Sequence, residues 1–232
     1  MDLILKVVTR NMSCLKSLLF FSFCLSLLFY VNEVRGNSAL ALVKIKDNNL
    51  AACIKKNAEK KQWQSASDIT EIKCHGMNIT SLVGLESFDS LKKLSLFNNQ
   101  LTSVDLQTFK HLEHINIANN RLTNINIVGL AQLKSLYLFK NKLITVDFNG
   151  VSQLKKIRIT NNKLKILDIS PLISLEKAYF FDNKLEELIV AGLPKLKFIE
   201  LRQNPMPDEV YDRYDALEGI TIIHDGNADD WK

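Results

Sequence analysis

The stretch "LKSLYLFKN", Leu133–Asn141, decides how this chain folds. It places Leu at its first, fourth and sixth positions and Asn at its ninth, and this frame returns every 21 residues. The frame begins at Leu91, Leu112, Leu133, Leu154, Leu175, Leu196 and Leu217, and its Asn falls at Asn99, Asn120, Asn141, Asn162, Asn183 and Asn204. Such regular self-similarity predicts repeats that bury their apolar faces against one another.

Each repeat also has a patterned second half, as in "LTSVDL" at 101–106 and "LKILDI" at 164–169. A more degenerate copy, 22 residues long, begins at Ile69. The frame LxxLxLxxN resembles that of the leucine-rich repeat family, and the nested LxxLDL half resembles its bacterial 21-residue subclass. The resemblance covers the chain from about Ile69 to the C-terminus. It implies an α/β-type solenoid with one short parallel β-strand per repeat.

The Asn column is predicted to be structural. An amide side chain donates and accepts hydrogen bonds at once, so it can satisfy the buried backbone groups of the turn after each strand. None of these six Asn residues is expected to bind a ligand.

Both open ends of the solenoid are predicted to be capped. Asp47 is placed to N-cap a helix through "NNLAACIKKNAEKK", which carries Leu50, Cys53 and Ile54 on one face. At the other end, "PDEVYDRYDALE" predicts a short helix and "GITIIHD" a last strand. The predicted segments are an N-terminal helical cap at 37–68, repeats at 69–204, and a C-terminal cap and tail at 205–232.

The first 36 residues are typical of a secretory signal peptide. Basic residues precede Ser17–Val31, a run without charge, and small residues that suit cleavage follow it. The alternative is an uncleaved membrane anchor, and either Met1 or Met12 is a credible start. Export to the periplasm, the cell surface or the medium follows from the signal-peptide interpretation.

Cysteine usage agrees with export. Cys14 and Cys24 would leave with the signal peptide, so that the mature chain keeps Cys53 and Cys74. A single pair in an oxidising compartment indicates a disulfide. In a leucine-rich repeat protein this bond would attach the N-terminal helical cap to the first repeat.

Three side chains per strand are predicted to point outward, at two, four and six residues past each repeat start. These triplets are Lys93-Ser95-Phe97, His114-Asn116-Ala118, Ser135-Tyr137-Phe139, Lys156-Arg158-Thr160, Lys177-Tyr179-Phe181 and Phe198-Glu200-Arg202. Aromatic residues with basic neighbours predict a protein-binding surface. Its predicted contact residues are Phe97, Tyr137, Phe139, Arg158, Lys177, Tyr179, Phe181, Phe198 and Arg202. The alternative is that these rings only pack on one another.

No catalytic constellation is found in the sequence. Its four His show no metal-ligand spacing, and there is no phosphate-binding loop or nucleophile elbow. A second column, Asp105, Asn126, Asp147 and Asp168, could bind calcium or form a hydrogen-bonded surface ladder, and we favour the ladder. The formal charge of +5 is mild and spread out, so it predicts no nucleic-acid partner. We therefore expect a protein that is not an enzyme and has neither cofactor nor metal.

The family resemblance implies recognition of a protein or peptide partner without chemistry. The sequence is interpreted as an exported bacterial binding module that meets a membrane only through its signal peptide during export. Two alternatives remain: a self-associating envelope scaffold, and a secreted effector or adhesin that binds a host protein or glycan.

Overall fold

The fold is that of a computed structural model, which describes residues 44–225. The predicted signal peptide lies outside the described residues, as do residues 37–43 of the N-terminal cap and 226–232 of the tail. The chain forms a parallel-strand solenoid of about 7 turns, with a helix before it and a helix and strand after it. The predicted fold class is confirmed.

Within residues 44–225, the regular structure consists of two α-helices, two three-residue 3-10 helices and twelve three-residue strands. Helix α1 is Asn48–Lys61 and helix α2 is Asp208–Asp215. The strands are β1 (Glu71–Lys73), β2 (Lys93–Ser95), β3 (Ser103–Asp105), β4 (His114–Asn116), β5 (Asn124–Asn126), β6 (Ser135–Tyr137), β7 (Lys156–Arg158), β8 (Ile166–Asp168), β9 (Lys177–Tyr179), β10 (Glu187–Ile189), β11 (Phe198–Glu200) and β12 (Thr221–Ile223).

The first half of every repeat contributes a strand to one long parallel sheet. Its order is β1-β2-β4-β6-β7-β9-β11-β12, so the chain returns to the sheet once per turn. The second halves form two shorter parallel pairs, β3–β5 and β8–β10. Between these pairs, residues 143–148 keep the sequence pattern of the second half without forming a strand.

The core lies between the long sheet and the second halves. The central residue of each long-sheet strand points inward, and Leu94, Ile115, Leu136 and Ile157 are each at most 1% exposed. These residues are also partners in register across neighbouring strands. Identical positions therefore stack along the solenoid, which is how repeats too small to bury their own apolar face obtain a core.

Helix α1 covers the first turn of the solenoid. Leu50, Cys53 and Ile54 are buried, and Cys53 is joined to Cys74 by a disulfide. The Asp47 side chain caps the helix by accepting from two N–H groups of its first turn, and its other oxygen accepts from the N–H and hydroxyl of Thr80. Burial would raise the pKa of Asp47, but these hydrogen bonds stabilise the carboxylate and lower its pKa overall.

Helix α2 covers the last turn through two buried tyrosines. The Tyr214 hydroxyl accepts from the Leu188 N–H and donates to the Leu188 carbonyl, at 2.8 and 2.6 Å. Tyr211 donates to the Asn204 carbonyl at 3.0 Å. Tyr214 thus supplies the backbone partners that a further repeat would have supplied to strand β10. Among residues 44–225, no helix combines the length and apolar character needed to cross a membrane.

The Asn column joins each repeat to the one before it. The Asn141 amide donates to the carbonyls of Leu138 and Ile117, and its oxygen accepts from the Leu122 N–H, each at 3.0 Å. Asn99, Asn120, Asn162, Asn183 and Asn204 likewise bond to backbone groups of their own and the preceding repeat. Residue 140, just before Asn141, has φ of 55°, so the chain turns sharply there.

Candidate binding face

The outward side of the long sheet is called the strand face, and its side chains stand in columns because the strands are in register. One column runs through Asn116, Tyr137, Arg158 and Tyr179, which are successive register partners. Aromatic and basic side chains from different repeats are therefore brought side by side, although 21 residues separate them in sequence.

A second column holds Phe97, Phe139 and Phe181, all of them half-buried. The ring centroids of Phe97 and Phe139 are 6.2 Å apart, although Ala118 stands between them in the repeat. Ala118 is fully buried and Thr160, between the next two rings, is 2% exposed. The large rings close over the small side chains between them, so alternate repeats build one continuous apolar row.

The expectation that every outward position faces solvent was therefore wrong at three places. Ala118 and Thr160 are buried in the Phe column. Glu200 is only 6% exposed because the Arg202 guanidinium covers it, with hydrogen bonds of 2.6 and 3.0 Å. Sequence spacing gives the direction of a side chain, but not which neighbour covers it.

Two basic side chains lie over the aromatic rings. The Lys156 ammonium is 5.8 Å from the ring centroid of Tyr137 and 5.7 Å from that of Tyr179. The Arg158 guanidinium is 4.8 Å from Phe139 and 5.9 Å from Phe181. Each cation thus contacts one ring of the repeat before its own and one ring of the repeat after it. Such contacts stabilise by about 0.5–1 kcal/mol each at exposed sites and hold the rings in place.

The aromatic cluster extends to both sides of these contacts. Phe198 lies 5.3 Å from Tyr179, centroid to centroid, and His75 lies 5.9 Å from Phe97. Eight of the nine predicted contact residues lie in this cluster or beside it. The ninth, Arg202, forms an ion pair with Glu200, so its charge is already compensated within the chain.

The charge on the strand face is largely uncompensated. At the edge of the face, Lys134 pairs with Glu113 and Lys155 approaches Glu176. By contrast, Lys156, Arg158 and Lys177 make no ion pair with any of residues 44–225. The Nε of Arg158 is buried and has no hydrogen-bond partner among the described residues.

The two histidines of the face add no charge at neutral pH. Burial lowers the pKa of His114, and the neighbouring Lys93 lowers it further. Burial likewise lowers the pKa of His75, with Lys73 as the next cause. Both imidazoles are therefore neutral near pH 7, and the positive charge of the face comes from Lys and Arg alone.

The Asp and Asn column of the second halves is occupied by local hydrogen bonds. Asp105, Asp147 and Asp168 each accept from the N–H two residues ahead, at 2.8–3.0 Å, and Asn126 does so at 3.3 Å. These bonds close the turn that follows each second half. Within residues 44–225, no cluster of three or more His, Cys, Asp or Glu side chains is arranged to hold a metal ion.

The second halves also expose apolar residues that the sequence analysis missed. Ile144, Ile166 and Ile189, from three consecutive repeats, are 61%, 55% and 40% exposed. The signal was present, because each stands at an outward position where other repeats carry Thr, Ser, Lys, Glu or Asp. We call these three residues the isoleucine patch.

A parallel solenoid with one strand per repeat, an Asn at each turn and a capping helix defines a repeat architecture. A family model described as leucine rich repeat matches residues 89–143. The chain therefore contains leucine-rich repeats, and their 21-residue spacing fits the bacterial subclass. No curated protein matches the sequence.

Solved structures share this fold. Internalin C2 from Listeria monocytogenes is 21% identical, with a TM-score of 0.53 over 80% of this chain and 96% of that chain. A chain of the TLR13–ssRNA13 complex is 22% identical, with a TM-score of 0.50 over 59% of this chain and 22% of that chain. Identities this low establish the common fold alone.

Proposed function

We propose that this chain is an exported bacterial leucine-rich repeat protein that binds a protein partner through its strand face, without catalysis. The observation that carries the proposal is the row of aromatic rings held in place by Lys156 and Arg158. Aromatic residues with Arg beside them are the usual anchors of protein interfaces, and these rings are half-buried rather than part of the core.

The packing of the row supports binding over simple surface packing. A ring packed between a cation and a neighbouring ring has fewer rotamers open to it, so less entropy is lost on association. Phe139, which touches Phe97 on one side and Arg158 on the other, is the clearest case.

Export is supported by two features. Residues 1–36 have the sequence pattern of a signal peptide, and the Cys53–Cys74 bond suits an oxidising compartment. If the protein is exported, the N-terminus of the recovered chain should lie just after Gly36, Ser38 or Ala41. N-terminal sequencing of the protein from the cell envelope and medium tests this, and a chain that still begins at Met1 or Met12 would contradict it.

The binding proposal is tested by capturing partners with the purified protein and with a strand-face variant. The variant changes Tyr137, Phe139, Tyr179 and Phe181 to Ser, and circular dichroism checks that it folds. A matched control changes Ile144 and Ile166 to Ser, which removes apolar surface from the other side. A partner that the protein and the control retain but the strand-face variant loses supports the proposal. Equal capture by all three, or no capture, would refute it.

The isoleucine patch favours a second candidate function, a self-associating scaffold. Exposed apolar side chains can mark a contact site, and these three come from consecutive repeats. If copies of the chain associate through this patch, sedimentation at micromolar concentration should show a dimer or larger species. The Ile144 and Ile166 changes to Ser should abolish that species, while the strand-face variant should retain it.

A further inference from the structure

We infer that the partner presents an acidic segment to the strand face, with at least one carboxylate received by Arg158 beside Lys156 and Lys177. This inference rests on the proposed function and adds the chemistry of the partner to it. It follows from three observations: cations without ion pairs at the centre of the face, an Arg158 guanidinium held against two aromatic rings, and ring faces that already carry a cation.

The distribution of ion pairs is the first observation. Along the edge of the face the chain supplies its own glutamates, so that Lys134 and Lys155 have carboxylates nearby. At the centre of the face, three residues after Lys155, it supplies none among residues 44–225 for Arg158, nor for Lys156 and Lys177 in the neighbouring column. Three like charges concentrated on one patch attract an anion and repel a basic partner.

The state of Arg158 is the second observation. Its guanidinium lies between the rings of Phe139 and Phe181, and its Nε is buried without an acceptor among the described residues. A cation held against apolar rings is poorly hydrated, so a charge-assisted bond to its terminal nitrogens is worth more than at an open surface. A carboxylate matches that planar fork of donors in geometry as well as in charge.

The covered rings are the third observation, and they separate a protein partner from other anions. Single-stranded nucleic acids stack their bases on open aromatic faces, and glycans commonly use such faces as well. Here Lys156 covers Tyr137 and Tyr179, while Arg158 covers Phe139 and Phe181. A cation over each of these rings leaves less open ring face on which a base or a sugar could stack.

The test selects twelve-residue peptides from a random phage library on the immobilised full chain. The selected peptides are then synthesised with a fluorescent label, and their affinity is measured by anisotropy at low and high salt. Labelled oligouridylate and heparin serve as probes for the other polyanions. The variants are Arg158→Gln, the pair Lys156→Gln with Lys177→Gln, and the strand-face variant with Tyr137, Phe139, Tyr179 and Phe181 changed to Ser. The control is Lys165→Gln, which removes an exposed charge from the other half of a repeat.

We expect the peptides to be rich in Asp and Glu beside apolar residues. Either set of charge changes should weaken their binding at least about tenfold, the control should leave it within about twofold, and high salt should weaken it. Peptides that need the aromatic rings but carry no excess of acid would overturn the inference and leave the proposed function standing. Peptides that bind the strand-face variant as tightly as the unchanged protein, or a selection that yields no peptide, would overturn both the inference and the proposed function. Tighter binding of RNA or heparin at the same face would overturn the acidic-segment inference.

Discussion

Replacing Asn141 tests how the repeats are held together. The two carbonyls that receive its amide each keep a second donor, because Asn120 also bonds to Ile117 and Asn162 also bonds to Leu138. The Leu122 N–H has no acceptor other than Asn141. Asn141→Ala therefore leaves one buried donor unpaired rather than three groups, which predicts a loss of about 1–3 kcal/mol in the free energy of unfolding.

Asn141→Asp should be worse at neutral pH, although it is the more conservative change. The carboxylate still accepts from the Leu122 N–H, but it is desolvated and faces two carbonyl oxygens, so we expect a loss of about 3–5 kcal/mol. The same environment raises the pKa of the new acid in the folded state. The deficit should therefore shrink as the pH falls through that raised pKa, since the protonated acid donates to a carbonyl.

Denaturant unfolding at pH 7 and pH 5 measures both variants. Asn149→Ala is the matched control, since its exposed amide makes no hydrogen bond to the described residues, and it should stay within about 0.5 kcal/mol. If Asn141→Ala costs as little as this control, or Asn141→Asp is as stable as Asn141→Ala at pH 7, the hydrogen-bond account of the column is wrong.

Three further predictions concern the caps. Hydrogen bonds lower the pKa of Asp47, so its contribution is complete above the unfolded pKa near 3.8 and is lost as the pH falls through the lower folded value. In denaturant titrations, the stability gap to Asp47→Asn should thus shrink below about pH 4, and a constant gap would contradict this. Tyr214→Phe removes both bonds to Leu188 and should cost about 1–3 kcal/mol in denaturant unfolding; an unchanged midpoint would refute the edge-capping role. Changing Cys53 and Cys74 to Ser should cost about 3 kcal/mol by the same assay, and reductant should no longer shift the midpoint; a continued shift would contradict this.

The elements of the fold could be predicted because each depends on local spacing. Leu133, Leu136 and Leu138 stand at positions that alternate along a strand, and their recurrence every 21 residues predicts the stacking. Asp47 has the residue type and the position of an N-cap. Its second partner, Thr80, could not be found in this way, because that contact depends on how the helix is placed against the first repeat.

For the candidate site, the sequence predicts which side chains point outward in columns, but not how those side chains contact one another. Spacing places Tyr137 and Phe139 outward, and the structure agrees. Spacing does not give rotamers, so it could not show that Lys156 and Arg158 reach over the rings of two neighbouring repeats. The burial of Ala118 has the same origin, since it depends on the size of the side chains on either side.

The measurement that tests the binding face most directly is site-specific photocrosslinking in the producing cells and their medium. A benzoyl-phenylalanine replaces Tyr137 on the strand face in one variant, and Ile166 in the isoleucine patch in the other. The account predicts crosslinked adducts to another protein from position 137 and none from position 166. Adducts from position 166 alone would place the interaction on the second halves and contradict the central claim.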